Sequence, residues 1–121
     1  MPSVPPRTHL SGDMSLRILH VDSGREWRGG QRQVLLLTRG QRDAGHEPLV
    51  VAASDAPLLH RLRSAGLAAS GVRMRADWDL AAARRLHALI RTWRPDVVHA
   101  HDARAHALAM GRRNGVGLAQ T

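Results

Sequence analysis

Two stretches of this 121-residue chain carry residue types that could do chemistry. One is His99-Ala100-His101-Asp102, two imidazoles at a spacing of two followed by a carboxylate. The other is Asp22 to Gln31, DSGREWRGGQ, where Gly24, Gly29 and Gly30 punctuate a polar loop. Paired histidines open a metal reading, since neutral imidazole is a common ligand for zinc-class ions. Adjacent glycines ahead of a helix let backbone N–H groups come close to an anion or a sugar hydroxyl, where the helix dipole favours negative charge.

Familiar motifs fail on both stretches. A nucleotide-hydrolase phosphate loop would need Lys where Gly30 stands and Ser or Thr at Gln31. A dinucleotide fingerprint would need G-x-G-x-x-G, whereas Gly24, Gly29 and Gly30 are spaced G-x4-G-G. A binuclear hydrolase pattern would need Asp and His where Ala103 and Arg104 stand. Spacing therefore supplies no third ligand to His99 and His101, and no metal is expected. Within its strand His99 reads as a satisfied core histidine, while His101 and Asp102 at the mouth are placed to meet a ligand. His20, His46, His60, His87 and His106 have no partner that can be inferred.

The elements that must position these residues follow from periodicity and punctuation. Leu16–Val21 is a near-continuous apolar run, interrupted by Arg17 and His20, that suits a parallel strand covered on both faces. A helix is expected from about Gly30 to Ala44, with Val34, Leu35, Leu37 and Thr38 toward a sheet, Arg32, Arg39 and Arg42 outward, and Gly45 as a left-handed cap. Strand two is Leu49–Ala53. Ser54 or Asp55 caps a short helix with Pro57 in its first turn, Leu58, Leu59, Leu62 and Ala65 on one face, and Gly66 at its end. A weak strand, Leu67–Met74, contains Gly71. Asp77-Trp78-Asp79 opens the best amphipathic helix, with Leu80, Ala83, Leu86, Ile90 and Trp93 inward, Arg84, Arg85, Arg91 and Arg94 outward, and Pro95 as its stop. Asp96–Ala100 is strand four, Ala103–Arg112 a helix, and Val116–Thr121 the start of a fifth strand.

Strands alternating with helices imply βαβ units and a parallel sheet. The expected fold is α/β, a Rossmann-like open parallel sheet of four to five strands with helices on both faces, in a single domain. Residues 1–14, rich in proline, read as a disordered leader, and residues 15–121 as the domain. In such sheets ligands collect beyond the carboxyl ends of the strands, which is where both chemical stretches fall.

Composition narrows the function classes. Cysteine is absent, which removes disulfides, thiolate catalysis and cysteine zinc sites. The formal net charge is +8, carried entirely by arginine among the strong bases. The arginines are scattered over several helices, as a compositional bias would leave them, and the near absence of aromatics counts against base-stacking surfaces. No apolar run is long enough to span a bilayer and the first residues lack a signal-peptide core, so a cytoplasmic location is expected.

The order ILHVDSG, a loop ending in GGQ, a helix closing in AGHE, and WRPDVVHAHDARAH resembles the N-terminal half of the retaining glycosyltransferases of GT-B architecture, family four. The matching residues are Gly29 and Gly30, then Gly45-His46-Glu47, then Pro95 to His101, and the resemblance runs from about Leu16 to Thr121. It implies sugar transfer from a nucleotide-sugar donor to a lipid or saccharide acceptor, with retention and with no cofactor. By this resemblance His101 is the catalytic contact to the transferred sugar. Gly29, Gly30 and Gln31 lie against donor diphosphate or acceptor, and Asp102 and Arg104 are acceptor contacts. It also implies that the domain is incomplete, the C-terminal nucleotide-binding domain being the missing partner, so that this chain alone is inactive. Peripheral contact with the inner membrane face is the accompanying alternative for location. The competing class is a non-enzymatic basic α/β module for nucleic acid or a phosphorylated partner, with a dinucleotide-dependent oxidoreductase third.

Overall fold

Hydrophobic runs of four to seven residues separated by helical segments fold here as the sequence pattern requires. The computed structural model describes residues 15–74 and 79–109 and the backbone of 117–120. In order, the elements are β1 (Arg17–Asp22), α1 (Gly29–Asp43), β2 (Glu47–Ala53), α2 (Pro57–Ser64), β3 (Ala69–Val72), α3 (Leu80–Trp93), β4 (Val97–Ala100), α4 (Ala103–Ala109) and β5 (Gly117–Gln120). All strand pairs are parallel, in the order β3-β2-β1-β4-β5. The expected leader, the Asp77-Trp78 end of the third helix and Arg112 lie outside the described residues.

Alternation along the strands splits the core in two. Leu19, Val21, Leu49, Val51, Val98 and Ala100 point to one face, where Ala82, Leu86, Leu89, Ile90 and Trp93 of α3 and Ala105 and Leu108 of α4 cover them. Val50 and Ala52 point to the other, beneath Val34 of α1 and Leu58, Leu59 and Leu62 of α2. A strand buried on both sides has no polar alternation, which is why these read as continuous apolar runs.

Two glycines end helices as expected, with φ of 94° at Gly45 and 74° at Gly66. Gly71 is required for a different reason: a Cβ there would sit 2.8 Å from Leu59 Cδ2, so α2 lies directly on β3. Three side-chain expectations are corrected. Leu37 is 40% and Leu80 62% exposed, while Ala82 and Leu89 are buried in their helix instead. The cap of α2 is Ala56, with no side-chain bond, and not Ser54 or Asp55; Pro57 in the first turn already lacks an N–H to satisfy. Asp79 does cap α3, accepting from the Ala82 amide at 3.1 Å.

At the amino end of the sheet, Arg17 is buried. Its guanidinium donates to the Trp93 carbonyl, lies 5.2 Å from the Trp93 ring centroid and sits 3.6 Å from Glu47. This charged bolt explains why an arginine interrupts an otherwise apolar strand, and it lies at the end of the sheet opposite the candidate site.

Candidate functional site

The sheet order reverses its direction of growth between β1 and β4, since the chain builds β2 and β3 to one side of β1 and β4 and β5 to the other. At such a switch point the loops after the two central strands diverge and leave a crevice at the carboxyl edge. The loop after β1 leads into Gly29, Gly30 and Gln31 in the first turn of α1; the loop after β4 holds His101 and Asp102 and leads into Arg104 in the first turn of α4. Both sequence-selected stretches thus stand side by side on one rim.

A single carboxylate joins them. Asp102 Oδ2 accepts from the Ser23 amide at 2.7 Å, and Oδ1 accepts from the Ser23 hydroxyl at 2.6 Å and from the Ala105 amide at 2.8 Å. Asp102 is thereby both the N-terminal cap of α4 and the tie between the two loops. The backbone adds the bond from the His101 amide to the Val21 carbonyl at 2.9 Å.

Asp22 organises the other side. Its Oδ1 accepts from the Gly24 amide at 2.8 Å and from Gln31 Nε2 at 3.3 Å, and Gln31 Oε1 accepts from the Arg28 amide at 3.1 Å. Gln31 therefore closes the loop onto the strand end. Gly24 is what lets it lie there, because a Cβ at 24 would fall 2.3 Å from Gln31 Nε2. Burial pushes the Asp22 carboxyl above its ordinary range, the Gly24 and Gln31 bonds oppose this, and the nearby Asp102 charge adds to it. Farther along, Arg25 donates to the Met74 carbonyl at 2.9 Å and the Arg61 guanidinium lies 4.1 Å from the Trp27 ring centroid, so the loop is pinned across the sheet edge.

Gly29 and Gly30 form the first turn of α1, exposed, with nothing within 4 Å of where a Cβ would be. The first amides of a helix have no partner within it, so this turn presents N–H donors and the positive end of a dipole to the rim. Glycine is not demanded here by packing. Its effect is to leave the approach to those amides clear.

The histidines hold the finding that spacing missed. Register pairs His20 of β1 with His99 of β4, and both side chains, with His101, lie on the α1 face of the sheet. The His99 and His101 rings stack with centroids 4.0 Å apart, and His20 lies 5.5 Å from the first and 5.1 Å from the second. His20 Nδ1 is 2.9 Å from His101 Nε2, and His20 Nε2 is 2.6 Å from Gln41 Oε1. A carbonyl oxygen only accepts, so His20 carries its proton on Nε2 and offers the Nδ1 lone pair to His101 Nε2–H. The chain Gln41, His20, His101 fixes the tautomer and direction of the rim imidazole.

Desolvation keeps the cluster neutral. Burial lowers His20 to about 4 against the opposing bond from Gln41, with the His99 charge a lesser contribution in the same direction. It lowers His101 to about 3, with His99 and His20 adding to the effect and Asp102 opposing it. His99, half-buried, is lowered by the same cause. The expectation that His20 has no inferable partner is corrected: its partners are set by strand register and by a helix face 21 residues away. His99 is half-buried in a stack and is not a fully enclosed core residue.

With this geometry in place, comparison with known proteins identifies the chain's family. The model of glycosyltransferase family 4 matches residues 27–121, a span that includes the glycine turn and the histidine rim. The chain belongs to glycosyltransferase family 4. A solved glycosyltransferase from Rickettsia africae ESF-5 superimposes on this family 4 chain with a TM-score of 0.71 at 16% identity, over 88% of this chain and 29% of that one. Glycinamide ribonucleotide transformylase 1 from Symbiobacterium toebii gives a TM-score of 0.54 at 20% identity, over 83% of this chain and 51% of that one. At these identities both likenesses show the α/β fold. The family 4 chain spans under a third of the first relative's length. No curated protein matches it significantly. Among the described residues no helix is long and apolar enough to cross a membrane.

Proposed function

We propose that this chain forms the acceptor-side half of a sugar-transfer cleft, in an enzyme that moves a glycosyl group from a nucleotide-sugar donor to a lipid or saccharide acceptor with retention. The observation that carries the reading is the shared rim: the open Gly29-Gly30 turn and the oriented His101 imidazole lie at the switch point, tied by Ser23 and Asp102. Membership of family 4 supports it.

The roles follow from what each group can offer. Amides of the Gly29-Gly30 turn donate to a diphosphate or to acceptor hydroxyls. His101, neutral and with its Nε2–H held by His20, accepts from a hydroxyl of the transferred sugar through Nδ1. Gln31 and Asp102 hold the two loops in register, and Arg104 faces the acceptor with Asp102. Retention of configuration requires donor and acceptor to be held on the same face of the sugar, a geometry one open rim does not supply. A second domain, carrying the nucleotide-binding groups, closes over this one, and selective stabilisation of the transition state needs both. No resident cofactor enters this scheme; the nucleotide sugar is substrate. Cytoplasmic placement, with the rim turned to the inner membrane face where the acceptor is a lipid, completes the proposal.

The test is a binding and turnover assay on the chain with a panel of nucleotide sugars and of lipid and saccharide acceptors. The expected result is saturable binding of one acceptor class, abolished in His101→Ala, with no sugar transfer by the chain alone. Turnover by the chain alone would overturn the two-half scheme. Binding that survives His101→Ala would overturn the assignment of the rim.

A further inference from the structure

We propose that His20, His99 and His101 form a binding site for a divalent transition-metal ion of the zinc class. The reading stands apart from sugar transfer and would hold for a chain with no activity at all.

One ligand atom from each histidine lies within 4.8 Å of the others. Zinc–nitrogen bonds are about 2.0–2.1 Å, so nitrogens on a tetrahedral ion stand roughly 3.3 Å apart. The His20–His101 pair is already at 2.9 Å, and His99 comes in by rotating a half-buried ring about its own side-chain bonds. The backbone that sets these positions is rigid, for His20 and His99 are register partners on adjacent parallel strands and His101 follows two residues on.

The protonation chemistry agrees. The lone pair of His20 Nδ1 points into the cluster because Gln41 holds the opposite nitrogen's proton, the second-sphere arrangement that metal-ligating histidines use. Without an ion the space between His20 Nδ1 and His101 Nε2 holds the His101 proton. With one, His101 takes its other neutral tautomer, its proton moving from Nε2 to Nδ1, and the ion takes the place between two lone pairs. This tautomer change releases no net proton.

Three imidazoles and no carboxylate select borderline ions such as zinc, nickel and copper over magnesium and calcium. The nearest acids do not compete for the role: Asp22 is held by Gly24 and Gln31, and Asp102 by Ser23 and Ala105. Three protein ligands leave a fourth position for water or another small ligand. An ion held there withdraws His101 from any sugar at the rim.

The experiment is calorimetric titration of the untagged, metal-stripped chain with zinc chloride, with visible absorption of the cobalt(II) form as a second readout. Expected are one equivalent of zinc bound, a tetrahedral cobalt spectrum and no heat with magnesium chloride. His99→Ala, at a half-buried position, should weaken zinc binding at least 100-fold. Gln41→Leu, which touches no ion, should weaken it about 10-fold through His20 alone. His60→Ala, an exposed histidine outside the cluster, should change nothing. Absence of one-equivalent binding by the parent chain would overturn the proposal, as would equal affinity in the parent, His99→Ala and Gln41→Leu, or loss of binding in His60→Ala.

Discussion

Replacing Gly30 with alanine separates a residue kept for its fold from one kept for what approaches it. In the folded chain nothing lies within 4 Å of the position a Cβ would take, and Gly30 is not among the glycines of positive φ. The methyl group therefore meets no obstacle within the protein. Glycine inside a helix costs about 0.5–1 kcal/mol relative to alanine, because it gives up more backbone freedom on folding. The first turn sees the lower part of that range, so Gly30→Ala should stabilise the chain by about 0.5 kcal/mol. For a domain of this size this raises the melting temperature by roughly 2 °C, within reach of calorimetry or a circular-dichroism melt. The same methyl stands over the exposed amides of the α1 N-terminus and should weaken acceptor or nucleotide-sugar binding at least tenfold, about 1.4 kcal/mol. A variant that is more stable and binds less well is the expected result. A variant that melts lower, or that is more stable and binds as before, would refute the reasoning, since the glycines would then serve folding alone or nothing at the rim.

Other expectations follow from the same contacts. Asp102→Ala removes a helix cap and two bonds to Ser23, and should cost about 3 kcal/mol in chemical denaturation; a loss under 1 kcal/mol would mean that Asp102 does not tie the loops. His20 titrates near 4 in the folded chain against 6.5 unfolded, so the unfolded state binds more protons between those values and stability falls as pH drops through that window. From pH 7 to pH 5 this single group removes roughly 2 kcal/mol. His99 and His101 act in the same direction, weakened by their exposure, and the raised Asp22 carboxyl opposes them. Melts across that range should be flatter for His20→Asn, and parallel curves would contradict the assignment. Arg94, the only non-glycine residue of positive φ among those described, ends α3 at φ 57°; Arg94→Gly should gain about 1 kcal/mol, and a loss in equilibrium unfolding would count against backbone strain there.

Much of this arrangement is written locally in the chain. Gly45 and Gly66 stand where helices must turn left-handed, Asp79 and Pro95 bound the amphipathic helix, and apolar runs mark strands buried on two faces. The order of elements, and with it the placing of the glycine turn and His101 on one rim, follows from such signals. Exact helix phase does not: the three consecutive leucines of α1 and the mixed leucines and alanines of α3 fit more than one angle, and packing turned Leu37 and Leu80 outward while drawing Ala82 and Leu89 in. The third histidine is harder still. His20 meets His99 only through the β1/β4 register, a pairing between residues 79 apart in sequence that no spacing rule contains. Gln41 reaches His20 from a helix whose phase is itself set by packing. Asp102 carries the opposite lesson, a polar residue legible as a rim residue whose carboxylate is spent on Ser23 and Ala105.

The proposed cleft is lined by the turn after β1 and the tip of β4 together. Amide chemical-shift mapping of the isotopically labelled chain during titration with a nucleotide sugar and with an acceptor saccharide tests it most directly. Saturable shifts gathered at Gly29, Gly30 and Gln31 together with His101 to Arg104 are expected. Shifts gathered instead around Arg17, Glu47 and Trp93, at the amino end of the sheet, or spread over the arginine faces of α3, would contradict it.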